Sequence, residues 1–381
     1  MSFLLFLFIS KFTFASNLDK ECQNSCSMAP DHAKAPCIAI CNSTRGACED
    51  GAWSSDRKEE LKKYISPADF QNVDRYLTGY SDSFVKKAIT KFSDSQKAKI
   101  QCDSCSDQEE KELNFDSLYV NFPDRKSDIK EVQYFQGKKS LRFVPVSHLA
   151  NEQDPGKRKE LKEKIHKIFE ENKKADHWVL EFAGIPERSK VFLCQLAVRT
   201  VMTPEEYLTS ESEILLKLAV TNGKSFSIGD PDDNEVLRII KNNPETKNKK
   251  PRDEKGNLFS EKDYVFFSSL QCATQRPLSD CVQEKDKKDF LSWYSRWNKK
   301  EFSPGRGLTS EIAPLDNPTL GTQKIAAYVS EIRNAFLRNT VDQSLKEKTD
   351  TVVVYGSAHL LQNMAVFDKK YGKIQLAEKH D

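Results

Sequence analysis

Apolar positions along the chain fall into short runs and helical-period stripes. Residues 132–135 and 141–146 read as two strands around Gly137-Lys138, a β-hairpin with a short loop. Between 157 and 173, Leu161, Ile165, Ile168 and Phe169 share one helical face. The run 178–182 (Trp-Val-Leu-Glu-Phe) reads as a buried strand closed by Gly184 and Pro186. A helix over 211–222 carries Ile214, Leu215, Leu218 and Ala219 on one face and stops at Gly223. Residues 225–228 form another short strand, ended by Gly229-Asp230-Pro231. A long helix is predicted over 322–346, with Ile325, Val329, Ile332, Phe336 and Val341 at helical spacing. Residues 352–355 are a buried strand, and Gly356-Ser357-Ala358-His359 turns sharply into a last helix ending near Gly372. Strands alternating with amphipathic helices imply βαβ units. The expected fold class is therefore α/β, with a mixed or mostly parallel central sheet flanked by helices. Strand-to-helix turns then gather at one sheet edge, where such folds place ligands.

Two segments break the alternation. Residues 241–320 are rich in Lys, Asp, Asn and Pro and then in aromatics, and read as a large insertion or cap in which Cys272 and Cys281 close a small loop. Residues 17–112 form a Cys-rich, mainly helical N-terminal region ahead of an α/β domain over 113–381. There Cys22/Cys26 and Cys37/Cys41 are twin C-x3-C pairs. Residues i and i+4 share a helix face, so two antiparallel helices stapled by two disulfides are expected. A tetrathiolate zinc site is the rival, although such sites favour C-x2-C spacing. Cys102 and Cys105 have that closer spacing, but in a polar segment without the βαβ context of a redox pair. Residues 1–16 hold an apolar run followed by Thr13-Phe14-Ala15, which fits a signal peptide with its cleavage site. No later segment is apolar enough for a transmembrane anchor.

Composition narrows the classes further. Ten cysteines beside a signal-like start point to disulfides and a secreted or periplasmic protein. Basic and acidic residues nearly cancel, at +2 over 381 residues, which argues against nucleic acid as a partner. The Lys-dense stretch 157–174 is interleaved with Glu and reads as a solvated helix face.

Of six histidines, two sit where chemistry is expected. His148 follows the strand ending in Pro145-Val146, and His359 follows the strand ending at Tyr355. Glu181 lies within an apolar run, where a carboxylate is costly unless paired. Asp230 closes a further strand. Placement at four strand ends makes His148, Glu181, His359 and Asp230 a candidate site, in which the two imidazoles would partner Glu181 and Asp230 could join them. His166 and His177 read as structural. The G-x-S-x-G elbow, the phosphate-binding loop and the H-E-x-x-H motif are absent from the sequence. Ser147 adjoins His148, and adjacent side chains diverge. Cys194 reads as a disulfide or buried thiol before a nucleophile.

A hairpin, a strand ending in His, a strand with Glu, a helix with Arg333-Asn334 and a strand ending in Gly356-Ser-Ala-His359 together resemble the TraB/TIKI group and its wider erythromycin-esterase-like/ChaN-like superfamily. The similarity covers about 131–235 and 322–372. Its first motif, Pro145-Val-Ser-His148, has Pro where the family has Gly. Known members include metal-dependent proteases, metal-independent esterases and a haem-binding lipoprotein. The resemblance implies an exported hydrolase of ester or peptide bonds, with a small-molecule or peptide substrate. In one form His148, His359 and Glu181, with Asp230, hold a divalent ion (Mn, Co or Zn) that activates water. In the other, a histidine acts as general base on water and Glu181 orients it. Arg333 would stabilise an oxyanion or bind a substrate carboxylate. The alternatives are a haem- or ligand-binding protein of the same fold, and a degenerate relative acting through its Cys-rich region, which the Pro145 departure motivates.

Overall fold

A computed structural model describes Cys22, Gln23 and Cys26, then residues 31–93, 131–242 and 250–376, except 137–138, 147, 150–153, 183–184, 186–188, 275, 306–307, 315–317, 348–349 and 373–374. The expected signal peptide, the Cys102/Cys105 pair and the Gly137-Lys138 turn lie outside the described residues.

In chain order the main elements are α1 (Asp31–Asp50), α2 (Ser55–Lys62), α3 (Pro67–Ser93), β1 (Val132–Gln136), β2 (Lys139–Val146), α4 (Pro155–Glu171), β3 (His177–Leu180), α5 (Lys190–Met202), α6 (Glu211–Thr221), β4 (Ser225–Ile228), α7 (Asp233–Asn242), α8 (Glu261–Ala273), α9 (Lys287–Asn298), α10 (Gly321–Glu347), β5 (Asp350–Gly356), α11 (Ser357–Tyr371) and β6 (Gln375–Leu376). The chain is mixed α/β, a sheet flanked by helices, as the alternation predicts. Its described residues divide into two compact units, one within Met1–Leu113, Ser147–Leu180 and Arg188–Phe226, the other within Asn114–Val146, Glu181–Glu187 and Ser227–Asp381.

In the first unit the twin C-x3-C pairs are cross-linked as Cys22–Cys41 and Cys26–Cys37. This nested pairing is the one antiparallel helical turns require, and it takes the place of the zinc alternative. The Cys26 N–H donates to the Cys22 carbonyl at 3.0 Å, which closes one helical turn. A third bridge, Cys48–Cys194, ties α1 to α5. Asp154 caps α4, and Pro155 opens it where its missing N–H costs nothing. Its Ile165 and Phe169 are buried, and Phe169 stacks on Trp178 of β3 with centroids 5.0 Å apart. A capping box of Ser210 and Glu213 starts α6, and Gly223, at φ 66°, follows its end. The solvated face of α4 carries Lys159–Glu163 and Lys167–Glu171 pairs, as its interleaved charge predicts.

In the second unit the strand order is β5-β2-β1-β6. The hairpin pairs Val132 with Phe143 and Gln136 with Lys139, β6 pairs antiparallel with β1, and β5 runs parallel to β2. β5 is buried from Thr351 to Gly356 and β-branched through Val352-Val353-Val354, as suits a strand covered on both faces. Pro145 is a strand residue of β2, in register with Tyr355. It lies beyond Phe143, the last β2 residue that β1 pairs, so its missing N–H breaks no bond of that ladder. Gly356 is in register with Val146 and not with Pro145.

The described residues between 250 and 320 fold mainly as helices around an aromatic core that includes Phe267, Phe290, Trp293 and Trp297, packed with Ile239 and Ile240 of α7 and Ile325, Val329 and Ile332 of α10. The expected insertion is thus a helical layer built onto α7 and the first half of α10. Cys272–Cys281 closes its small loop as expected. Among the described residues, no helix is long and apolar enough to cross a membrane.

Candidate functional site

Four segments of the second unit converge on one polar cluster. Glu181 and Phe182 follow β3, which ends at Leu180, and Asp230 follows β4, which ends at Ile228. Glu181, expected inside its strand, thus lies one residue beyond it, and Asp230 follows its strand as expected. Both carboxylates lie just beyond their strands, where the backbone is released from the ladder and the side chain can turn to a partner. Arg333 and Asn334 come from the middle of α10, Tyr355 and Gly356 from the end of β5, and His359 from the first turn of α11.

Arg333 binds both carboxylates. Its Nε donates to Asp230 Oδ1 at 2.6 Å, and one terminal nitrogen, Nη2, donates to Glu181 Oε1 at 2.7 Å. The second oxygen of each acid accepts a backbone N–H. Phe182 donates to Asp230 Oδ2 at 2.8 Å, and Gly356 to Glu181 Oε2 at 2.7 Å. Because Gly356 caps α11, Glu181 lies at that helix's positive end, where an anion is favoured. Asp230 and Glu181 are buried, at 1% and 8% exposure, so this full set of donors offsets a large desolvation cost. Burial works against the Arg333 charge, but Asp230 and Glu181 outweigh it and hold the guanidinium firmly protonated.

His359 joins the cluster through both ring nitrogens. Its Nε2 is 3.6 Å from Glu181 Oε1, and its Nδ1 meets Asn334 Oδ1 at 2.7 Å. The ring stands edge-on to Tyr355, with centroids 5.4 Å apart. Burial, then the Asp230 and Glu181 carboxylates, push the Tyr355 phenol well above its ordinary value, against the pull of Arg333. Gly229 makes room for that phenol, since a Cβ there would lie 2.6 Å from its hydroxyl and 2.9 Å from Leu337 Cδ1.

His148 lies in the first unit, where it has a different carboxylate from the one expected. Its Nδ1 is 2.7 Å from Glu211 Oε1, and Leu149 N donates to Glu211 Oε2 at 3.0 Å. Glu211 is buried in the first turn of α6 and favoured by that helix's N-terminus. Within the second unit the structure brings Glu181, Asp230, Arg333 and His359 together, and within the first it pairs His148 with Glu211. Ser147 lies outside the described residues. His166 pairs with Glu205 at 2.7 Å and His177 with Ser225 Oγ at 2.8 Å. Cys194 is a disulfide partner, so it is no nucleophile.

Sequence reasoning missed Glu211 and the polar face of α10 and α11. Asn334 and Arg338 are one helical turn apart, as are His359 and Asn363, and the two pairs meet face to face. The available signal was polar residues interrupting the apolar stripes of both helices.

A metal ion fits this arrangement poorly. All four carboxylate oxygens already accept a hydrogen bond, and a guanidinium lies between the two acids. A cation would have to displace Arg333.

No family model matches the chain, and no curated protein or solved structure matches it. The resemblance to the TraB/TIKI group rests on the motifs alone.

Proposed function

We propose that the chain is an exported hydrolase of ester or peptide bonds, working without a resident metal, with His359 as general base. The carrying observation is the ordered set Asn334–His359–Glu181, in which one ring nitrogen is anchored and the other is directed at a carboxylate. A water held between His359 Nε2 and substrate would give its proton to that nitrogen as its oxygen attacks the carbonyl carbon. Glu181 would stabilise the imidazolium so formed. Arg333 uses two of its donors to fix the acids, and 23% of its side chain is exposed to meet the oxyanion. Four disulfides and the absence of a membrane-crossing helix among the described residues support the secreted or periplasmic reading.

One observation favours a second reading, a catalytically inert interaction protein. Complete internal satisfaction of both acids is also what a structural ion network shows. A panel of small esters and peptides separates the two. For any substrate turned over, His359→Ala is expected to lower kcat/KM by about 100- to 10,000-fold, the usual worth of a general base. Unchanged turnover in that variant would remove His359 from the chemistry. Elemental analysis of the same proteins tests the metal form. Stoichiometric Mn, Co or Zn in wild type, lost in His359→Ala, would replace the metal-free mechanism, and iron with a Soret band would favour haem.

A further inference from the structure

We propose that Arg338, acting through Asn363 and Asn334, fixes the tautomer of His359, placing the ring proton on Nδ1 and the lone pair on Nε2 facing Glu181. The inference rests on the hydrolase reading only for its use in catalysis, because the tautomer is a property of the resting protein.

Donors and acceptors run in one buried chain from Arg338 to His359. A guanidinium has donors and no acceptor. Arg338 Nη1 donates at 2.8 Å to the side-chain amide of Asn363, so the atom it meets must be Oδ1. That choice turns the Asn363 NH2 the other way. Its two hydrogens have two acceptors, the His359 carbonyl at 2.7 Å and Asn334 Oδ1 at 2.9 Å. Asn334 is thereby oriented as well. Its Nδ2 donates to Gln362 Oε1, which also accepts Ser330 Oγ at 3.1 Å. The Asn334 atom left toward the imidazole, 2.7 Å from Nδ1, is an oxygen that can only accept. Nδ1 must supply the proton, and in the neutral ring Nε2 carries none.

Either amide, taken alone, could be flipped with little change in shape. Flipping Asn363 would set an NH2 against Arg338, and flipping Asn334 would set an NH2 against that of Asn363. Arg338, Asn334 and Asn363 are all at most 4% exposed, so water is poorly placed to rescue a mismatch. Burial pushes the Arg338 guanidinium down to about 10, against Glu331 and Asp342, so it still carries its charge at neutral pH. It is a costly residue to bury, and what it supplies here is a donor that cannot be inverted. Arg338 is thus a positioning residue, one helical turn from Asn334 and out of contact with any reacting atom.

The test is nitrogen NMR of the full chain with labelled histidine, following His359 across the pH range where the ring is neutral. Wild type is expected to show a protonated-type Nδ1 and an unprotonated-type Nε2. Arg338→Met is expected to shift His359 toward a mixture of tautomers. Arg338→Lys, again a donor without an acceptor, is expected to restore the Nδ1–H form. Should Arg338→Met fail to fold, Asn334→Asp supplies the reading, because a carboxylate keeps the acceptor. It should preserve Nδ1–H and raise the His359 pKa. An Nε2–H tautomer in wild type, or an Nδ1–H population untouched by Arg338→Met, would overturn the proposal. Neither readout needs a substrate. Failure of the hydrolase reading, seen as no turnover with this tautomer in place, is therefore distinguishable from failure of the relay.

Discussion

At the scale of single residues, the cluster depends on one charge. Arg333 is the cation that faces two buried carboxylates, and its removal leaves both without their charged partner. Breaking a buried pair by deleting one member costs about 3–5 kcal/mol. The 23% exposure of the Arg333 side chain places its loss near the lower end of that range. Arg333→Met is expected to lower the unfolding free energy by roughly 3 kcal/mol in urea titrations at neutral pH. Removing Asp230 as well, with Asp230→Asn, should cost much less than the sum, since the two share one interaction. A loss below about 1 kcal/mol for the single variant would mean that solvent already screens the network. Glu181 was visible from sequence because a carboxylate in an apolar run is anomalous, and Arg333 entered through the motif resemblance. Asn334 entered beside Arg333 in that motif but without a role, and Arg338 and Asn363 were not visible, because a polar residue on a helix reads as solvent-facing until the opposing helix is known. His148 was placed at a strand end correctly, but a strand end does not say which carboxylate is near.

At the scale of elements, legibility followed amphipathicity. β2, β5, α4, α6 and α10 emerged from the sequence within a few residues of their observed bounds, because each has one buried face or a full buried run. α5 did not emerge, and its burial explains why. Cys194, Leu196, Ala197, Val198, Thr200 and Val201 are all buried, and half-buried Gln195 and Arg199 leave too narrow a polar line to set a period. Its link to α1 was equally hidden, since sequence spacing cannot pair Cys48 with Cys194. That bridge closes a separation of 146 residues, whereas Cys272–Cys281 closes 9. On the chain-entropy account the two are worth about 5 and roughly 3 kcal/mol. Cys48→Ala/Cys194→Ala is therefore expected to lose more stability than Cys272→Ala/Cys281→Ala, as measured by denaturant midpoint with the remaining bridges intact. Both Cys48 and Cys194 are essentially unexposed, so the comparison includes a small loss of buried volume that adds in the same direction. Equal losses, or the reverse order, would show that loop closure is not what the Cys48–Cys194 bridge contributes.

At the scale of the whole molecule, buried phenols set the alkaline limit. Burial is the leading cause that raises Tyr76, Tyr134, Tyr264, Tyr294, Tyr355 and Tyr371 above the ordinary tyrosine value. A phenol is neutral below its pKa, so the contribution of these groups is complete up to about pH 10, the unfolded value. Above that point the unfolded chain releases protons that the native chain keeps, and stability falls with rising pH. Each fully ionised phenol contributes a slope of about 1.4 kcal/mol per pH unit. Arg338 acts in the opposite sense, because its native value of about 10 is below the unfolded one, so the native state gives up its proton first. One guanidinium against six phenols does not reverse the trend. Denaturant midpoints are therefore expected to hold from pH 8 to about 9.5 and then drop steeply. Phenolate absorbance should rise in two stages, the more exposed tyrosines first and the six most strongly raised ones only as the far-ultraviolet circular dichroism is lost. If all eleven tyrosines ionised together while the dichroism stayed native, water would be reaching these rings and the packed environment drawn for Tyr355 beside Asp230 and Glu181 would be wrong.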